Sequence, residues 1–183
     1  MHARSLAQPL AQAPERPDFD ALYESTSELA FRVLGAMGVR DHELDDALQD
    51  VFVIAHRRLG DFRGASRPST WVAGIAVRVA HDYRRRHARK PSEPLEPHAP
   101  GLVAAGNGPD TSAMRTEALR AVMSFIEGLP ETQRDVFVLA ELEQQTAPEI
   151  AQALGVPLNT VYSRLRLARA HFEAWVASRG DER

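Results

Sequence analysis

The 183-residue chain contains no cysteine, which excludes a disulfide framework, a thiolate metal site, a cysteine nucleophile and thiol-based redox sensing. Long apolar runs are missing too: nothing approaches the roughly 18 consecutive residues that a membrane span needs. The opening MHARSLAQPLAQAPERP has no apolar core of a secretion signal. A cytoplasmic protein with no membrane contact of its own is expected. Neither a glycine-rich phosphate loop nor a G-x-S-x-G elbow occurs, so no catalytic residue, metal or cofactor is expected. Strand-like alternation is absent over any useful length. Aromatics make up only 7% of the chain, so each one on an apolar stripe is weighed as core or as a platform for a nucleobase. What remains, 44% hydrophobic and 26% charged, is the balance of a folded globular protein.

The net charge of −3 conceals an alternation. Residues 18–62 carry −6, residues 63–90 carry +7, residues 91–157 carry −7 and residues 158–176 carry +2. A surface built this way repels phosphate over most of its area and attracts it at two places.

Proline and glycine divide the chain into a disordered tail (1–17), a first helical domain (18–90), a flexible linker (91–112) and a second helical domain (113–178). The fold class is therefore all-α, two small domains joined by a linker. In the first, Phe19, Leu22, Leu29, Ala30, Val33, Leu34 and Met37 form one apolar stripe, ended with help from Gly35 and Gly38. Leu44, Leu48, Val51, Phe52, Ala55 and Leu59 form a second, closed by Gly60, with Asp45, Asp46, Gln49 and Asp50 on the other faces. A third helix starts at Ser69 or Thr70 as N-cap and carries Trp71, Val72, Ile75, Ala76, Val79 and Tyr83 before a basic run from Arg84 to Lys90. In the second domain, Leu119, Val122, Met123 and Ile126 lead to a stop at Gly128, and Pro130 opens the next helix in its first turn.

Thr146-Ala147-Pro148-Glu149 is a capping box. The helix that it starts is short, because Gly155 follows Leu154, and another begins near Asn159 and Thr160 after Pro157. Ala151, Gly155 and Val161 are spaced as two steeply crossing helices require, a helix-turn-helix. Its second helix would present Asn159, Thr160, Tyr162, Ser163, Arg164, Arg166 and Arg169, side chains that bond bases and phosphates. DNA binding follows.

Taken together the two domains resemble the extracytoplasmic-function sigma factors. The resemblance rests on Asp46-Ala-Leu-Gln49-Asp50-Val-Phe52, Phe62-Arg63-Gly64, Thr70-Trp71 with Ile75-Ala76, Asp82-Tyr83-Arg84-Arg85, Leu129-Pro130 with Gln133-Arg134 and Val136-Phe137, and the run from Glu149 to Leu165. It implies that the first domain is region 2-like and the second region 4-like. It also implies that Asp46, Gln49 and Asp50, with Asp45, bind core RNA polymerase, an acidic face suited to a basic partner helix. The loop of Phe62, Arg63 and Arg67 and the helix bearing Arg78, Arg84, Arg85 and Arg86 would open the −10 promoter element, capturing a flipped base and holding the displaced strand. Trp71 and Tyr83 could serve there or in the core. The helix-turn-helix would read the −35 element, and an anti-sigma factor is an implied partner. Arg78 stands where the family often has Asn, and Tyr162 and Leu167 where it often has Arg, so promoter preference does not carry over.

The linker's roughly 22 residues reach about 70 Å when extended and average about 25 Å as a coil, enough for two DNA sites up to about two helical turns apart. Three other readings compete. A metal-dependent phosphohydrolase using His56, His81-Asp82 and Asp110 is disfavoured, because Asp82 has arginines around it on its helix and Asp110 falls in the linker. A dimeric helix-turn-helix regulator would have no use for the aromatic and basic third helix, whereas a sigma-like adaptor without promoter opening is compatible with the sequence.

Overall fold

The computed structural model describes residues 18–89 and 109–180, and it is helical with no strand among them. The expected tail and most of the expected linker lie outside these residues.

α1 (Phe19–Ala36) buries Leu22, Ala30, Val33 and Leu34. It ends in a Schellman motif: Gly38 is left-handed at φ +86°, and the Val39 and Gly38 amides donate to the Leu34 and Gly35 carbonyls at 3.1 and 3.0 Å. A single 3₁₀ turn, Asp41–Glu43, leads into α2 (Leu44–Arg58), whose buried stripe is Leu44, Ala47, Val51, Phe52 and Ala55. α2 stops at Arg58, not at Gly60, which sits inside a 3₁₀ turn over Leu59–Asp61. α3 (Pro68–Ala88) also starts earlier than the Ser69 or Thr70 cap suggested. Its N-cap is Arg67, Pro68 takes the first turn, where its missing N–H is harmless, and Thr70 is buried. The three helices pack on one another.

α4 (Pro109–Gly128) begins within the stretch expected to be linker. Pro130 is the N-cap of α5 (Glu131–Phe137), one residue ahead of the first turn. A π turn over Val138–Leu142 continues it, and α6 (Ala147–Leu154) and α7 (Leu158–Gly180) follow. Phe125, Phe137, Phe172 and Trp175 form an aromatic cluster, with Phe125 5.7 Å from Phe137 and 5.2 Å from both Phe172 and Trp175, centroid to centroid. Offset and edge-on pairs of this kind add to the area that they bury.

The two modules touch. α6 lies on α3, with Gly74 at the crossing: a Cβ there would stand 2.3 Å from the Ala153 carbonyl oxygen. Only a residue without a side chain allows this approach.

Candidate nucleic-acid interface and protein-docking face

On α2 the apolar stripe turns inward, and the opposite period leaves Asp45, Asp46 and Gln49 exposed. Asp50 differs from these three. It is half-buried and accepts a hydrogen bond from the Tyr83 hydroxyl at 3.0 Å. Burial first, and then this neighbouring carboxylate, push the Tyr83 phenol up to about 12. Tyr83 is thus a core residue with a polar tip, and the Arg86 guanidinium covers its ring at 4.8 Å. Beside Asp45 and Gln49 a groove of about 510 Å³ runs between α1 and α2, floored by Phe19, Leu48 and Phe52. Tyr23 and Val53 line it while remaining 44% and 38% exposed. Asp45 is the one carboxylate that lines this apolar slot, with His56 and Arg57 also in its lining; an amphipathic helix would fill such a slot.

The loop before α3 places Phe62 half-buried against Trp71, 5.2 Å between ring centroids, and leaves Arg63 and Arg67 exposed. Arg78, Arg85 and Arg86 are exposed on α3. Arg85 pairs with Asp82 at 2.6 Å, the same-helix ion pair expected for that aspartate. Arg84 is turned inward, donating to the Met37 carbonyl at 3.0 Å. The cations of this helix therefore divide: Arg78, Arg85 and Arg86 face solvent and Arg84 ties α3 to the end of α1.

The helix-turn-helix forms as its sequence demands. The Glu149 carboxylate accepts from the Thr146 amide at 2.9 Å and hydroxyl at 2.7 Å, bonds that hold its carboxyl below the usual range. Gly155 is left-handed at φ +68°, and the Val156 amide closes on the Ala151 carbonyl at 3.1 Å. Asn159, Tyr162, Ser163, Arg166 and Arg169 lie exposed on α7, with Tyr162 54% accessible, while Thr160 and Arg164 are half-buried. Arg169 is held by Glu141 at 2.8 Å, which leaves Arg166 as the exposed arginine nearest the front of the helix.

Two residues matter more than their sequence context suggested. Arg134 is buried and donates to the Ile126 and Leu129 carbonyls, each at 2.8 Å, and to that of Glu127. It caps the end of α4 from the next helix, where helix carbonyls lack partners and a cation is favoured. His81, set aside above as a metal ligand, instead reaches Asp135 of the other module at 2.8 Å. Among the described residues no cluster of His, Asp and Glu could hold a metal, and no helix is long and apolar enough to cross a membrane.

Residues 22–90 match the family model for Sigma-70 region 2 and residues 119–172 that for Sigma-70 region 4. The chain is 34% identical to the ECF RNA polymerase sigma factor SigM of Mycobacterium tuberculosis over 171 residues, covering 92% of this chain and 83% of that one. It belongs to the extracytoplasmic-function RNA polymerase sigma factors. The ECF sigma-E factor of Haemophilus influenzae is 29% identical over 91% of this chain and 93% of its own. That of Escherichia coli K12 is 32% identical over 69% and 70%. Among solved structures the fold matches CnrH in complex with the cytosolic domain of CnrY, with a TM-score of 0.65 at 21% identity over 87% of this chain and 88% of that one. It also matches the sigma factor RpoE in complex with the anti-sigma factor NepR from Bartonella quintana, with a TM-score of 0.69 at 16% identity over 87% and 97%. The matched families are regions of transcription-initiation factors.

Proposed function

We propose that this sigma factor docks on core RNA polymerase through Asp45, Asp46 and Gln49, with Asp50 held behind them by Tyr83. The observation that carries the reading is the exposure of Asp45, Asp46 and Gln49 on α2, with Asp45 and Gln49 lining the apolar groove between α1 and α2. Exposed charge steers and orients a basic partner, and the groove supplies the apolar area that charge alone does not. The loop of Phe62, Arg63 and Arg67, with Arg78, Arg85 and Arg86, takes the displaced strand of the −10 element. Arg84 acts by fixing α3 on α1. Asn159, Tyr162, Ser163 and Arg166 read the −35 element, with Arg169, Thr160 and Arg164 at its margins. Regions 1–17, 18–90, 91–112 and 113–178 serve as tail, polymerase and −10 domain, linker and −35 domain, and the protein works in the cytoplasm. An anti-sigma factor is a fitting partner, supported by the complex of the similarly folded RpoE with NepR.

The test is in vitro transcription with purified core polymerase on promoters from the same genome, comparing the wild type with the Asp46→Arg, Gln49→Ala double variant. Specific initiation that the double variant lowers at least tenfold is expected, since truncating or reversing interface charges costs ~2 kcal/mol or more. Binding to duplex DNA with neither polymerase association nor any transcript would sink the proposal and favour a plain helix-turn-helix regulator.

A further inference from the structure

The seam between the modules contains a titratable group that promoter reading does not use. His81 lies on α3, half-buried, with Nε2 2.8 Å from Asp135 Oδ1 and Nδ1 3.6 Å from Glu131 Oε1. Both acids sit on α5 of the other module, and the Asp135 side chain is only 8% exposed. On its own helix Arg85 opposes the imidazolium, though Asp82 engages that arginine. Around this contact Glu143, buried, takes Arg32 in a two-point pair at 3.1 and 2.8 Å. Arg67 lies 3.4 Å from Glu149, and the Gln152 amide donates to the Ala65 carbonyl at 3.3 Å. The second module's carboxylates thus occupy cations of the first, including one in the loop assigned to the opened strand.

We infer that His81 is a proton-operated latch: its imidazolium binds Asp135 and faces Glu131, holding α5 and α6 against α3, and loss of the proton loosens the seam that borders the strand-binding loop. A neutral imidazole carries one N–H and so can donate to only one of the two acids, while its other nitrogen turns a lone pair toward the second. The bond to Asp135 raises the proton affinity of His81 in the closed form, against the effect of partial burial. In separated modules neither acid is near, and the ordinary value of about 6.5 applies. The contribution of His81 to closure is therefore complete below that value and is lost as pH rises through the higher, closed-state value. The consequence for DNA rests on the promoter reading above; the latch does not.

The experiment measures the distance between modules in the free full-length protein, with no polymerase or DNA, so its failure is separate from that of the sigma reading. The absence of native cysteine allows a donor and acceptor to be placed at Glu24→Cys and Ala177→Cys, both exposed. Between about pH 5.5 and 8.5, where histidine titrates and carboxylates do not, energy transfer is expected to fall with rising pH. The midpoint should lie above about 6.5, and the open-to-closed ratio should change by about tenfold for each unit by which the two forms' proton affinities differ. His81→Gln, which keeps a neutral donor, and Asp135→Asn are each expected to flatten the profile. Transfer independent of pH in the wild type, or an unchanged profile in Asp135→Asn, would overturn the latch. Circular dichroism checks that each variant folds, and Asp135→Asn decides alone if His81→Gln does not.

Discussion

Two stretches of this sigma factor have nearly the same charge, −6 over residues 18–62 and −7 over residues 91–157, and although Glu28 and Glu43 of the first are paired, the exposed acids of α2 use their charge differently from those of the second module. On α2 the carboxylates of Asp45 and Asp46 stand in solvent beside an apolar groove. In the second module Glu143, Asp135, Glu141 and Glu149 each meet a cation: Arg32, His81, Arg169 and Arg67. Composition cannot distinguish the two. The difference lies in burial: Glu143 and Asp135 are covered and must be paired to be tolerated, whereas the α2 acids stay hydrated and remain available to a partner.

That contrast can be broken most forcefully at Glu143. Glu143→Lys sets a like charge against Arg32 at the seam, and losing a covered pair costs ~3 kcal/mol or more. The modules are expected to separate by a shift of about 100-fold in their equilibrium, seen as a larger radius of gyration by small-angle scattering. The matching reversal on α2, Asp46→Lys, should leave the radius unchanged. If it also opens the molecule, the two acidic stretches do not differ as described.

Asp50 sits between the two behaviours and sharpens the comparison. Tyr83→Phe removes the hydrogen bond that ties it to the core, which is expected to cost about 1 kcal/mol by urea titration at neutral pH. Because folding raises the Tyr83 phenol from 10.0 to about 12, its contribution is complete below pH 10 and lost as pH climbs toward 12. Wild type should thus lose more stability than Tyr83→Phe across that window. An equal loss in both would place the alkaline titration elsewhere. The smallest effect belongs to Asp45→Asn, expected to change stability by less than about 0.5 kcal/mol, as for other solvated surface sites. A larger change in urea would mean that the α2 row is structural.

Much of this was legible in the sequence because it is local. The α2 stripe, the Thr146 capping box, the Gly155 turn and the Asp82–Arg85 pair each involve residues within a single helix or the turn that bounds it. Signals that contact at a distance left no such trace. Arg32 and Glu143 are 111 residues apart and His81 and Asp135 are 54 apart, so no periodicity links them. Its place on the apolar stripe favours Tyr83 as core over base stacking, but the hydrogen bond to Asp50, 33 residues away, is not visible in that stripe. Arg134 was visible as part of a motif, yet its role depends on where the carbonyls of α4 end. Pro68, not the Ser69 or Thr70 hydroxyl, starts α3, because its fixed φ suits the first helical position and its missing N–H is one that the helix would leave unpaired.

Gly74 has a bearing on how the chain divides its stability. In the middle of α3 a glycine weakens the helix by about 1 kcal/mol relative to alanine, so the first module on its own would be firmer with a methyl group there. The closeness of the Ala153 carbonyl forbids that methyl group while the modules are joined. Local helix strength and contact between the modules thus make opposing demands on a single side chain, and the sequence carries the residue that favours contact. A chain whose two halves worked only when apart would have no physical reason to accept the weaker helix.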